Sequence, residues 1–403
     1  MNLGWIDFSR SDRDKVLNVL DKLSEPTTLD ELGIAPVRDG FANLFFPGTS
    51  SIQTRAKYFF LVPYALRSLE KELAGMKQFK EALQRFDEIQ KNCCDELCNK
   101  DDNKNIIGSR ARKQGKWIMR TPADIYWAGL RSYGIISEKI SLSEYIRYIW
   151  EFKNNLLNQK SQGYCNDPDN CDDESDDEDA VVGFKNNKLL IIPTYKSSCL
   201  EKGKISIKLN DDEQKFLTKQ IIENHPQSLL AYILSNPNEF KETISSINDF
   251  KDFKDLRKVL DSINYPGIQD ILDAIQFSDF IFVLRTVYNM IISDNRNEVA
   301  NKKWNDFSLH LDKYANLDLD RIFERLQIQN LKLKNFLQKT QNDMKEKSLE
   351  KLKKDICDRE ADIKHENAKT KRPGKYDCNV WYGGYGLDYR YKTAKQIIID
   401  ILN

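Results

Sequence analysis

No stretch of the 403-residue sequence approaches the roughly 20 apolar residues that a membrane span needs. Met1 to Arg13 also lack the basic segment and apolar core of a leader peptide. The expectation is a cytoplasmic chain with no membrane partner. Histidine is scarce: His225, His310 and His365 are all there is, which leaves a histidine-based hydrolase poorly supplied. Eight cysteines are scattered along the chain, and those that lie near one another (Cys93, Cys94 and Cys98; Cys165 and Cys171) form no Cys-x-x-Cys pair. Neither a zinc site nor a secreted disulfide framework is indicated, and the thiols are expected to be reduced. No Gly-x-Ser-x-Gly places a nucleophile and no Gly-x-x-x-x-Gly-Lys cradles a phosphate, so an ATP motor is not expected either. These absences predict no metal and no cofactor. No internal repeat stands out.

Net charge is absent too, but only as a sum. The 62 basic residues are matched by 62 acids, nine of which fall between Asp167 and Asp179 with no base among them. The rest of the chain then carries 62 bases against 53 acids, a surplus that permits a polyanionic partner.

What is present is mostly helical text. Ser11 opens a helix running to about Leu23, with Val16 and Leu20 at helical spacing. Thr28 with Glu31 repeats the capping spacing, Gly33 is a stop, and Pro36 opens a short helix toward Leu44. After the turn Phe46 to Thr49, a longer helix carries Ile52, Ala56, Phe59, Phe60, Leu66 and Leu69, with Pro63 as a kink or break. Thr121-Pro122 with Asp124, and Ser141 with Glu144, start two more helices. Val181 to Phe184, Leu189 to Ile192 and the alternating Lys204 to Leu209 read as short strands. From Asp211 the pattern is helical again, with Ile281 to Ile292 apolar enough for a buried central helix.

The predicted class is therefore mainly α with a small β element (α+β). In chain order this gives an N-terminal helical domain (1–90), a basic loop (91–120), a unit at 121–210 holding a disordered acidic loop (165–180), and a C-terminal helical domain (211–403) with a glycine-aromatic tail. Thr121 to Leu156 fits either a winged-helix or helix-turn-helix unit or an ordinary helical hairpin. A DNA reader needs bases around its helices to hold phosphates, and Arg110, Arg112, Lys113, Lys116, Arg120 and Arg131 are placed for that.

Other constellations are weaker. Asp167, Asp169 and Glu178 occupy three positions of a calcium-loop register, but Cys171 and Asp172 break it, and a solvated linker is the simpler reading. Pro168-Asp169 with Glu213-Gln214-Lys215 sketches a metal-dependent nuclease, though not on adjacent strands. Trp381 to Tyr391 joins glycines to five aromatic rings and Arg390, chemistry suited either to stacking on bases or to anchoring the tail on the core. Arg55 and Lys57 follow a turn and are candidates for exposed function. The competing reading makes Arg55 a structural ion pair with Asp388 or Glu360.

Several blocks carry a resemblance. They are Gly4 to Ser9, Asp30-Glu31-Leu32-Gly33-Ile34 and Phe46 to Tyr58, then Pro122 to Ile135 with Tyr126-Trp127, and in the tail Arg359-Glu360, Trp381 and Leu387-Asp388-Tyr389-Arg390. They resemble the uncharacterised prokaryotic domain-of-unknown-function family 6361, for which no activity or catalytic residue can be carried over. The resemblance implies a setting among phage-defence or restriction-like complexes that include helicases and nucleases. The resulting expectation is a non-enzymatic subunit that associates with DNA or acts as a scaffold, with a helicase or nuclease subunit as partner. Its contacts would come from Arg55, Lys57, Arg110, Arg112, Lys113, Lys116, Arg120, Arg131 and Arg390. A metal-dependent nuclease and a purely structural protein-interaction subunit are the alternatives.

Overall fold

The structure, a computed structural model, describes residues 30–99, 105–136, 140–161, 189–193, 203–240 and 265–403, with single positions at 200, 253, 257, 260 and 261. The helix expected from Ser11 to Leu23, the acidic loop 165–180 and the strand at Val181 to Phe184 lie outside the described residues. In chain order the helices are α1 (Ala35–Phe45), α2 (Tyr58–Glu72), α3 (Phe79–Cys98), α4 (Ser109–Lys113), α5 (Pro122–Ser132), α6 (Leu142–Ser161), α7 (Asp211–Asn224), α8 (Leu229–Ser235), α9 (Ile268–Ile292), α10 (Glu298–Ser308), α11 (Leu311–Ala315), α12 (Leu319–Arg325), α13 (Leu331–Lys345), α14 (Leu349–Lys364) and α15 (Tyr391–Leu402).

Among the described residues no strand forms, and the one β feature is an antiparallel bridge between Ile136 and Leu190. The strand expected at Lys204 to Leu209 is a run of turns and bends. Its alternation is real, since Ile205, Ile207 and Leu209 are buried while Lys204, Ser206 and Lys208 are exposed. Alternation reports burial of one face; a strand also needs a neighbour to exchange backbone hydrogen bonds with, and here the Lys208 N–H goes to the Ser206 hydroxyl instead.

The chain divides into two compact units, each drawn from separate stretches of sequence: Met1–Asp39 with Gln269–Leu387, and Gly40–Ile268 with Asp388–Asn403. In the second unit α2 is the central element. Tyr58 to Leu66 are all buried, and α3 and α5 pack against it. The helix begins at Tyr58, six residues later than the apolar spacing suggests, because the preceding backbone is held in turns: the Tyr126 hydroxyl accepts the Thr54 and Arg55 N–H groups at 2.8 and 3.0 Å. Pro63 stands inside α2 without ending it. The expected caps are in place. The Thr121 hydroxyl accepts the Asp124 N–H and the Asp124 carboxylate accepts the Thr121 N–H at α5, and Ser141 and Glu144 do the same at α6; a further cap of this kind, not among those expected, joins Asn210 and Glu213 at α7.

In the first unit α9 is largely apolar, and its buried positions are spread round the helix as in a core helix. By length and composition it could cross a membrane, but 72% of its most apolar window is buried inside the protein, so it reads as a core helix. Helices α13 and α14 form a hairpin over a carboxyl pair. Burial first, and the Asp355 carboxylate second, push Asp343 up to about 6. A carboxyl pKa raised on folding means the native state holds its proton more tightly. Stability from this pair is full below about pH 4 and is lost as pH rises through about 6. Asp343→Asn, which keeps an N–H donor toward Asp355, should therefore raise Tm by a few degrees at pH 7.5 and leave it unchanged at pH 4.5, read by circular dichroism. Equal shifts at both pH values would remove the proton from this explanation.

Candidate nucleic-acid interface

The blocks noted in the sequence meet in pairs within their units. In the first unit Arg359 on α14 donates to the Leu32 and Gly33 carbonyls at 3.0 and 3.3 Å, although more than 320 positions separate them. Gly33 sits at φ +64°, and a Cβ there would lie 2.7 Å from the Arg359 guanidinium, so the close approach requires glycine. Glu31 accepts Lys369 at 2.8 Å and also pairs with Lys364. Glu360, fully buried, accepts the Tyr288 hydroxyl, the Thr370 N–H and Lys364 at 2.8, 2.9 and 3.2 Å.

In the second unit Arg55 bonds Asp400 on α15 at 2.8 and 3.0 Å, and the same carboxylate accepts the Ala56 N–H at 2.8 Å. Arg55 is thus an internal ion pair, with Asp400 as its partner. Lys57, 8% exposed, places its ammonium 2.7 Å from both Glu213 oxygens, and Tyr64 donates to the same carboxylate at 3.1 Å. Arg390 donates to Asn43 and to the Thr49 carbonyl, while Tyr389 before it wedges edge-on against Phe41 and Phe45. Turn and helix approach most closely at Gly48 and Gly129, where a Cβ on Gly129 would lie 2.5 Å from the Gly48 carbonyl oxygen. These polar residues hold the fold.

The remaining basic candidates are displayed differently. From Asn105 to Thr121 the sequence contains no acid and five bases. The stretch is fixed at its root. Buried Ile107 donates its N–H to the Tyr58 hydroxyl at 2.9 Å, and its carbonyl accepts from the Cys94 thiol at 3.3 Å. Burial, then the neighbouring Cys98, pushes the Cys94 thiol up to about 12, which keeps it protonated and able to donate. Gly108, at φ +86°, leaves room for the Trp117 ring, which a Cβ would meet at 2.9 Å. Arg112 forks onto Asp95 at 2.6 and 2.8 Å and holds that carboxyl below the usual range.

From this base α4 and the turn after it project Arg110, Lys113, Lys116 and Arg120, all exposed, beside Met119, whose side chain is 99% exposed. Arg110, Lys113 and Lys116 make no ion pair with a described residue. The nearest acids in sequence that are described are Glu96, which accepts the Gly203 N–H, Asp95, already paired, and Asp124, which caps α5. The stretch can hold several phosphates at once on a pre-ordered backbone.

The α5–α6 hairpin offers less. Helix α5 buries Pro122, Ala123, Tyr126, Trp127, Gly129 and Leu130, and Arg131 is half-buried. On α6, exposed Arg147 alternates with Glu144 and Glu151, and its guanidinium lies over the Phe79 ring at 4.8 Å. In the sketched nuclease, Glu213 is committed to Lys57, Tyr64 and the α7 cap, and Asp169 lies outside the described residues. Among the described residues no three His, Cys, Asp or Glu side chains converge to hold an ion.

Sequence reasoning reached the bases of this stretch but missed what seats them. Tyr58, Cys94 and Asp95 carry no local signal of that role, since their partners lie on another element.

Residues 1–179 match the family of unknown function DUF6361. The match ends within the acidic run, so the resemblance seen in the tail lies beyond it. No curated protein and no solved structure matches the chain.

Proposed function

We propose that this chain is a non-enzymatic DNA-associated subunit whose contact with the duplex is the anchored basic stretch Ser109 to Arg120. One observation carries the reading: a run of bases with no acid is presented on a backbone pinned at its root by Tyr58 and Cys94 and, through Arg112, by Asp95. Phosphate binding is worth most when the cations are already gathered and need not be ordered on contact. The interface is narrower than the full set of bases in the sequence. Arg55 and Lys57 serve the core, and Arg390 bonds Asn43 and Thr49. Neither a winged helix nor a sheet is needed for it. The resemblance to a family met in phage-defence or restriction-like complexes supports a cytoplasmic setting in which a helicase or nuclease subunit supplies the chemistry.

Replacing Arg110, Lys113, Lys116 and Arg120 together by Glu should weaken binding to a labelled 20-base-pair duplex at 50 mM salt by at least about 100-fold, with Tm changed by no more than a few degrees. Undiminished binding by this variant would remove the interface. Magnesium-dependent cleavage of the duplex by the pure protein would favour the nuclease alternative.

A further inference from the structure

The glycine-aromatic loop of the first unit is held in an uncommon way. Ser278, Arg285 and Asn289 lie along one face of α9 and each bonds its backbone: the Ser278 hydroxyl accepts the Leu387 N–H at 2.8 Å, Arg285 donates to the Tyr385 carbonyl at 2.8 Å, and the Asn289 amide both accepts from and donates to Tyr382 at 2.9 Å. The Trp381 indole N–H closes the loop on the Gly384 carbonyl at 2.8 Å. The anchors Arg285 and Asn289 are buried. Yet the rings they position remain at the surface. Trp381 and Tyr385 stack in parallel, 5.1 Å between centroids and 6° between planes, with Tyr385 56% exposed. Phe282 supports both from beneath, and the Lys303 ammonium lies 5.0 Å from the Phe282 ring.

A loop that served only to bury aromatic area would turn these rings inward. This one leaves a parallel two-ring stack at the surface, with Tyr385 exposed and Trp381 half-buried, and Gly383, Gly384 and Gly386 add no side chain to the loop. One cation adjoins it: the Lys303 ammonium, on α10, lies over the Phe282 ring that both members of the stack touch. The acid beside the loop is Glu31, next to Gly383, and it is already paired with Lys364 and Lys369.

We propose that the Trp381–Tyr385 stack is a binding site for an unpaired base of single-stranded nucleic acid. Stacking on a preset aromatic platform tolerates any base, because every base has a π face, and Lys303 beside it takes the backbone. The site rests on side chains of the first unit and needs nothing from the basic stretch of the second. A strand opened from a duplex offers both kinds of contact, paired and unpaired.

The test uses the full chain with a labelled 20-residue oligo-dT and the duplex used above. Unlabelled oligo-dT should quench the tryptophan fluorescence. Tyr385→Ala should weaken oligo-dT binding by about tenfold. Tyr385→Phe should hold it within twofold, and neither variant should move duplex affinity or Tm. The variant carrying four glutamates in the basic stretch should keep the quenching even where its duplex binding is gone. Oligo-dT affinity unchanged in Tyr385→Ala, quenching lost in the four-glutamate variant, or quenching by a proline-rich peptide but not by oligo-dT would each overturn the assignment.

Discussion

Lys57→Met should destabilise the chain by about 3–5 kcal/mol, because it leaves the Glu213 carboxylate buried without its cation. Glu213 is 1% exposed, and Lys57 is bonded to both of its oxygens. The pair itself adds little net stability over an apolar match of the same shape, since two charges must leave water to form it; the cost lies in removing one partner. Restoring neutrality with Lys57→Met and Glu213→Gln together should recover much of the loss. The Gln amide oxygen can still accept either from Tyr64 or from the Asn210 N–H at the start of α7. Urea denaturation reads both variants. At a temperature where Lys57→Met remains folded, its duplex affinity should equal that of the parent chain, which separates a structural lysine from a phosphate contact.

The second large effect belongs to the first unit. Glu360→Ala should cost about 3–5 kcal/mol, because it leaves Lys364, the Tyr288 hydroxyl and the Thr370 N–H facing a site that water does not reach. Beside it Glu31 binds Lys364 and Lys369, so the loss also unbalances the charges that hold the segment after residue 30 onto α14. Glu360→Gln keeps an acceptor and should lose less than half as much in the same denaturation measurement. Equal losses for Ala and Gln would show that the charge, and not the hydrogen bonding, is what matters there.

Local rules of the sequence survived contact with the structure where the interaction is local. The caps at Thr121 and Ser141, the αL glycine at Gly33 and the buried apolar helix ending at Ile292 need only neighbours a few residues away. Lys204 to Leu209 misled because period-two burial is necessary for a strand and insufficient for one. Arg55 and Lys57 misled for a different reason. On a helical wheel they fall off the apolar stripe, and the acids that bury them, Asp400 and Glu213, are 345 and 156 positions away. Nothing short-range announces such partners. The basic stretch was legible as charge, but its usefulness depends on Tyr58, Cys94 and Asp95, whose roles are set by tertiary packing.

The same long-range pairing explains why the blocks that carry the family resemblance hold so many polar residues. Asp30 to Ile34 meets Arg359, and Phe46 to Tyr58 meets Tyr126, Tyr133 and Asp400. Their polar groups satisfy one another. In this chain a dense polar motif marks where distant segments join, and the surface proposed to meet DNA is composed of less distinctive lysines and arginines.

The most direct measurement is the salt dependence of duplex binding, taken by fluorescence anisotropy from 50 to 200 mM for the parent chain and the four-glutamate variant. Each phosphate neutralised contributes about −0.9 to the slope of log K against log salt, so four exposed bases predict a slope near about −3 to −4 for the parent chain and one close to zero for the variant. A parent slope near zero, or the same steep slope in both proteins, would contradict the assignment of the interface to Ser109 to Arg120.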